Sequence, residues 1–233
     1  YHAVVEYGTP WYHDWQGLRE EWRLTTALGA SGTARERTGD EPAGDPFRER
    51  LLEGLADSIA QRGYRETTVA DIVRNAKTSK RTFYAHFTGK DAALLELLEA
   101  DNVTMIAGIR AAVDPVADWR VQVEQAVQAY VTAIGANPAL TLAWIREFPA
   151  LGEAVRPVQR RGMSNFTDML VDITSSPGFQ RAGLRTVSRQ TALILLGGLR
   201  ELTAHTLEDG EDIRGITDTA VAACIGLVTV EST

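Results

Sequence analysis

Apolar positions recur at helical spacing along almost the whole chain. Over residues 47–62, Leu51, Leu52, Leu55 and Ile59 share one face, and Gly63 stands where a left-handed residue ends a helix. Val69, Ile72, Val73 and Ala76 form the stripe of a second, shorter helix. Thr68 is its N-cap and Asp71, three residues on, completes a capping pair. After a break at Lys77-Thr78, Ser79 caps a third helix running through Phe87, with Phe83 and Phe87 turned inward at i and i+4. Thr88 and Asp91 read as another capping pair, opening a long helix to Ala112. Further helices are predicted over 118–135, 138–148, 153–174 (kinked at Pro157), 186–207 and 212–230. Residues 175–178 and 208–211 read as loops. No run alternates apolar and polar residues with period two, so the expected class is all-α.

Upstream, Trp11, Trp15, Leu18 and Trp22 fall on one face of a short helix, and Gly and Pro mark 29–45 as a flexible linker. The chain thus divides into an extension and linker (1–45), three short helices (46–92) and a helical body (93–233).

With 233 residues, 44% hydrophobic and 24% charged, the composition is that of a folded globular chain. Apolar stretches are far shorter than the ~18 residues of a membrane span. A single cysteine, Cys224, excludes an intrachain disulfide. These features predict a cytoplasmic protein with no membrane partner. The net charge of -7 argues against nucleic acid, but its distribution reverses that argument. Residues 46–90 carry nine Lys and Arg against five acids, while both flanking segments are net acidic. All three lysines, Lys77, Lys80 and Lys90, lie in this block. A basic block on an acidic body is the footprint of polyanion binding; a solvated helix face can carry the same cluster.

The informative stretch is TTVADIVRNAKTSKRTFYAHFTGKDAALL, from Thr67 to Leu95. Two short helices with a tight connection form a helix-turn-helix, whose second helix enters a major groove and presents its first residues to base edges. Those residues are Ser79, Lys80, Arg81 and Thr82. Lys and Arg match guanine O6 and N7, and Thr meets a base edge or a thymine methyl. Tyr84 and His86 lie off the apolar stripe, free to face phosphates. Thr68 and Lys90 sit at helix N-termini, where N–H groups favour an anion.

The stretch resembles the DNA-binding domain of TetR-family (tetracycline-repressor-like) transcriptional regulators. The resemblance rests on Gly63-Tyr64, Thr67-Thr68, Asp71-Ile72, Ser79, Thr82-Phe83-Tyr84, His86-Phe87 and Lys90 before Leu94-Leu95, and covers residues 47–95. It places Thr67 beside Thr68 among the DNA-facing positions. Where the family often has Gly then Val in the turn, this chain has Lys77 and Thr78, which adds Lys77 as a phosphate contact.

The resemblance also implies a C-terminal helical domain that binds a small molecule and dimerises. Leu193, Leu196, Gly197 and Leu199 on one helix, with Ala220, Ala223, Cys224 and Leu227 on the last, are the expected homodimer interface of a four-helix bundle. Trp119, Tyr130, Trp144, Phe148, Met163, Phe166 and Met169 are the expected pocket lining, with Arg146, Gln159 or Arg160 to orient the ligand. The reading is a dimeric repressor on a palindromic double-stranded DNA operator, released by a small apolar or aromatic effector, with the helix from Lys90 as lever. The alternative is a helical small-molecule-binding or adaptor protein without DNA binding. No phosphate loop, HExxH pair, GxSxG elbow or Cys/His metal spacing occurs, so neither cofactor, metal nor catalytic residue is predicted.

Overall fold

The computed structural model describes residues 45–230. The tryptophan-bearing segment and the linker lie outside the described residues, apart from Asp45. Ten α-helices and four shorter helical turns make up the described part, with no strand among them. The described residues are all-α, as expected.

Helix α1 (Pro46–Glu66) begins at Asp45, whose carboxylate accepts from the Phe47 N–H at 2.9 Å. It is interrupted at Gly63, where φ is 77° and ψ 162°, so the regular part ends where the glycine predicted. Helix α2 (Val69–Asn75) carries the full capping box: the Thr68 hydroxyl accepts from the Asp71 N–H, and the Asp71 carboxylate accepts from the Thr68 N–H. That hydroxyl and N–H, with Arg74 and Arg62 nearby, hold the Asp71 carboxyl down at about 2. Gly54 is what lets α1 lie on α2. A β-carbon there would come within 2.6 Å of the Ile72 carbonyl oxygen.

The turn after α2 is a Schellman motif. The Thr78 N–H bonds the Val73 carbonyl and the Lys77 N–H the Arg74 carbonyl, with Lys77 itself at φ 48°. The lysine occupies the left-handed position that favours glycine. Ser79 then caps α3 (Lys80–His86) through the Thr82 N–H.

Helix α4 (Lys90–Ala112) departs from its predicted start. Gly89 is the N-cap without a side-chain bond, because Asp91 is engaged by the Tyr64 hydroxyl instead. Helix α5 (Trp119–Ala136) is capped by Asp118. The predicted helix over 138–148 is broken into α6 (Pro138–Leu142), a π-helical turn (Ala143–Glu147) and a 3-10 turn (Phe148–Leu151). Pro149 explains the break: it has no N–H for the Ile145 carbonyl, which accepts from Arg200 at 2.7 Å instead. Pro157 produces no kink, since it lies in the first turn of α7 (Arg156–Thr174). The expected loop at 175–178 is partly α8 (Pro177–Arg181). Helix α9 (Arg189–Glu208) is followed by a 3-10 turn (Ile213–Ile216) and α10 (Thr217–Val230).

Helix α1 packs on α2, α4 and α6; α4 packs on α5 and α7, and α9 on α7. The larger core gathers Val123, Val127 and Val131 of α5, Ala192 of α9 and Ala220 and Cys224 of α10.

Candidate nucleic-acid interface and ligand cavity

The outer surface of α3 follows from which of its residues are anchored. Phe83 is 0% exposed and Phe87 is buried beside it, rings 5.6 Å apart. They hold the seven-residue helix by its inner side. Lys80, Arg81 and Tyr84 face solvent, Tyr84 at 59% exposure with its ring edge-on to Phe83. Ser79 is exposed, and its hydroxyl meets that of half-buried Thr82 at 2.9 Å.

Charge pairing sorts the basic block further. Arg48 donates to Glu96 through Nε and Nη2 and lies over the Phe87 ring. Arg62 and Arg74 meet Asp71, and Arg65 meets Glu147 at 2.7 Å. Arg50 lies over the Phe47 ring. Among the described residues of this block, Lys77, Lys80 and Arg81 are the cations with neither an ion-pair nor a ring partner. All three cluster at the turn and the first turn of α3. The diffuse positive charge of the sequence condenses into one small patch.

Three expected DNA-facing residues sit otherwise. Thr67 is 1% exposed; its hydroxyl donates to the Gly63 carbonyl and its N–H to the Tyr64 carbonyl, leaving nothing for a phosphate. Lys90 donates to the carbonyls of Tyr64, Arg65 and Thr67 at 2.9, 3.2 and 2.8 Å and lies over the Tyr64 ring. Its ammonium closes the end of α1, and all three N–H groups are occupied. His86 is directed at Asp45, Nδ1 to Oδ2 3.5 Å. Thr68 is exposed, but its hydroxyl serves the capping box.

The C-terminal helices enclose two adjoining cavities. One, about 740 Å³ including its open part, is lined almost wholly by apolar side chains of α5, α7, α9 and α10, among them Tyr130, Phe166 and Met169. The other, about 620 Å³, is bounded by Trp144 and Met163 together with Asp101, Asn102, Thr141 and Arg200. Tyr130, Phe166, Leu196 and Leu199 are walls of both. Two expected lining residues line neither. Trp119 packs on Phe179 in the core, and Phe148 is fully buried, stacked on Trp144 at 4.9 Å. The three expected orienting groups are also elsewhere: Arg146 is held by Glu201 and Glu208, while Arg160 and Gln159 lie outside both cavities. The polar wall formed by Asp101, Asn102 and Arg200 had no signal in the sequence beyond being polar positions on otherwise apolar helices.

The expected dimer surface separates into two layers. Leu196, Ala220 and Cys224 are buried in their own core, and Leu199 and Leu227 are half-buried on the apolar cavity. Outward stand Leu193 at 51% and Ile194 at 66% exposure, with Gly197, Gly198, Ala222, Ala223 and Gly226. The exposed apolar positions of α9 and α10 are thus small residues with two large ones, Leu193 and Ile194.

A three-helix unit with exposed cations on its third helix, joined to a helical body with cavities, is a helix-turn-helix architecture. Residues 51–97 match the family described as bacterial regulatory proteins, tetR family. It is 27% identical over 117 residues to the HTH-type transcriptional regulator EthR of Mycolicibacterium smegmatis, covering 50% of this chain and 54% of EthR. The chain spans about half the length of the curated relatives it matches. In fold it is similar to the fatty acid degradation regulator FadR of Bacillus halodurans (TM-score 0.68, 15% identity, 78% of this chain and 95% of FadR). It is also similar to FadR of Bacillus subtilis in complex with stearoyl-CoA (TM-score 0.65, 15% identity, 77% and 97%).

Proposed function

We propose that the chain is a ligand-responsive transcriptional regulator that binds a palindromic DNA operator as a two-fold dimer and represses from it. The single observation behind this is the condensation of unpaired cations, Lys77, Lys80 and Arg81, beside exposed Tyr84 on the outer side of α3. A helix presented in this way reads a major groove, Arg81 a guanine and Lys77 and Lys80 the flanking phosphates. The face bearing Leu193 and Ile194 supports a second copy as partner, since small residues let helices approach closely and the two large ones fill the seam. A DNA-bound role supports a cytoplasmic location. Among the described residues no helix is long and apolar enough to cross a membrane.

The cavities support an effector with a substantial apolar part, which the stearoyl-CoA bound by the Bacillus subtilis relative also has. Two links carry its binding to α3. Helix α4 lines the cavities through Asp101, Asn102 and Ile109 and holds α1 through Glu96 and Lys90. The π-helical turn offers Trp144 and Ile145 to a cavity and Glu147 to Arg65 of α1. An effector acts here by binding one arrangement of these helices more tightly than the other.

The test is a mobility shift on the DNA upstream of the gene at two salt concentrations. Arg81→Ala is expected to weaken binding by about 1–3 kcal/mol at one operator position and to relax specificity there. A loss spread evenly over all sequences refutes base reading by Arg81, and no binding to any duplex refutes the regulator.

A further inference from the structure

We infer that the two cavities take one elongated amphiphile, its apolar chain among the side chains of α5, α7, α9 and α10 and an oxygen acceptor at its end hydrogen-bonded by Arg200. This rests on the effector reading above and names the chemistry of the ligand.

The argument begins with Arg200. One guanidinium nitrogen, Nη2, donates to the Ile145 carbonyl at 2.7 Å. Its Nε is buried and bonds to nothing. No carboxylate among the described residues forms an ion pair with it, although Arg146, on the π-helical turn, engages two carboxylates of α9, Glu201 and Glu208. A buried guanidinium N–H without an acceptor is costly, and more so for a charged donor than for a neutral one. A side chain kept in that condition on a cavity wall is a donor awaiting an acceptor from the cavity. Burial accordingly pulls its proton affinity down.

The direction of the ligand follows from α9. Ala192, Leu195, Leu196 and Leu199 line the apolar cavity, and Arg200 follows on the same helix at the end of that stripe. From Ala192 to Arg200 the helix advances about 12 Å. Since Tyr130, Phe166, Leu196 and Leu199 are walls of both cavities, a chain in the first reaches the second by passing them. The polar side chains of the apolar cavity are already engaged: Tyr130 with the Thr203 hydroxyl at 2.8 Å, Thr174 with the Leu170 carbonyl at 2.9 Å and Thr191 with the Ser188 hydroxyl at 3.0 Å, while Cys224 is a thiol pushed up to about 11 by burial. The head therefore belongs at the Arg200 end. Asp101 lines that end too, from α4, and sets the choice of head. If Asp101 were the recognition group, a cationic amphiphile would be the ligand; the unfilled donor of Arg200 selects an acceptor.

The experiment is calorimetric titration of the full chain, without DNA, with three probes sharing one tail: dodecanoic acid, methyl dodecanoate and dodecyltrimethylammonium. The acid and the ester are expected to bind, and the ammonium, which offers no acceptor, at least roughly tenfold more weakly. Tighter binding of the acid than of the ester identifies the head as a carboxylate, and the reverse identifies a neutral carbonyl; either supports the anchor. Arg200→Met keeps an apolar side chain of similar length and is expected to weaken acid and ester by roughly tenfold or more while leaving the ammonium unchanged. Should that variant not fold, Arg200→Lys, which keeps charge and one donor, is expected to bind between the two. Acid binding unchanged by either substitution, or an ammonium that binds as tightly as the acid, overturns the anchor. Absence of binding by all three probes overturns the ligand class. A parallel mobility shift with dodecanoic acid reports on the regulator reading separately, because it reads release of DNA rather than occupation of the cavity.

Discussion

Replacing Asp101 by Asn is expected to stabilise the protein above neutral pH and to remove a pH dependence that the native chain carries. Asp101 lines the mixed cavity, and burial raises its carboxyl from the ordinary 3.8 to about 6. The folded state therefore binds this proton more tightly than the unfolded chain does. Between about pH 4 and 6 the folded form holds more protons, so stability falls as pH rises through that window and is lowest once the group is ionised. At about 1.36 kcal/mol for each tenfold difference in proton affinity, the rise corresponds to at most about 3 kcal/mol at pH 7. Asp101 retains some solvent contact through the cavity, which lowers the expected gain to about 1–2 kcal/mol. Urea unfolding of both chains at half-unit steps from pH 4 to 8 measures it. The native midpoint should fall across pH 4–6 relative to that of Asp101→Asn, and the variant should be the more stable at pH 7. Parallel curves, or a variant less stable at pH 7, would show that the carboxylate is well solvated or favourably paired, and the argument from burial would be wrong.

Lys90→Met should lower stability by about 2 kcal/mol, since three carbonyls lose a charged donor, and the melting temperature by about 4–8 °C. Calorimetry checks this, and an unchanged melting point would return Lys90 to the DNA surface. Lys77→Gly should move two readouts in opposite directions: a gain of about 0.5–1 kcal/mol in stability as left-handed strain is relieved, and a salt dependence of DNA binding shallower by about one phosphate contact. Chemical denaturation and operator titration at several salt concentrations measure the pair. Ile194→Glu should convert a dimer into a monomer in sedimentation with helical content unchanged, and a dimer that survives moves the interface off the α9–α10 face.

The helix-turn-helix unit was readable because its signals are local. A cap bonds the N–H two or three residues on, and a stripe at i and i+4 needs only one helix to exist. Thr68, Ser79 and the inward Phe83 and Phe87 were legible on those grounds. The same logic misled at Asp91, where a distant Tyr64 hydroxyl outcompeted the local cap. Pro149 was visible in the chain, but its consequence depended on Arg200, some fifty residues away, being at hand to take the freed carbonyl.

Periodicity, capping chemistry and the clustering of Lys and Arg were enough to determine the helices of the described residues and a helix-turn-helix with a basic second helix. They could not tell which cations remain free, because pairing of Arg48 with Glu96 or Arg65 with Glu147 joins residues far apart in sequence. Nor could they tell core from surface on α9 and α10, helices apolar on both sides, where only the neighbouring helices decide that Leu196 and Cys224 turn inward and Leu193 and Ile194 outward. A cavity is likewise a property of the gaps between helices. Asp101 and Arg200 became a site when α4 and α9 brought them to one space, because burial and missing partners, which make a polar group chemically informative, exist only after the chain has folded.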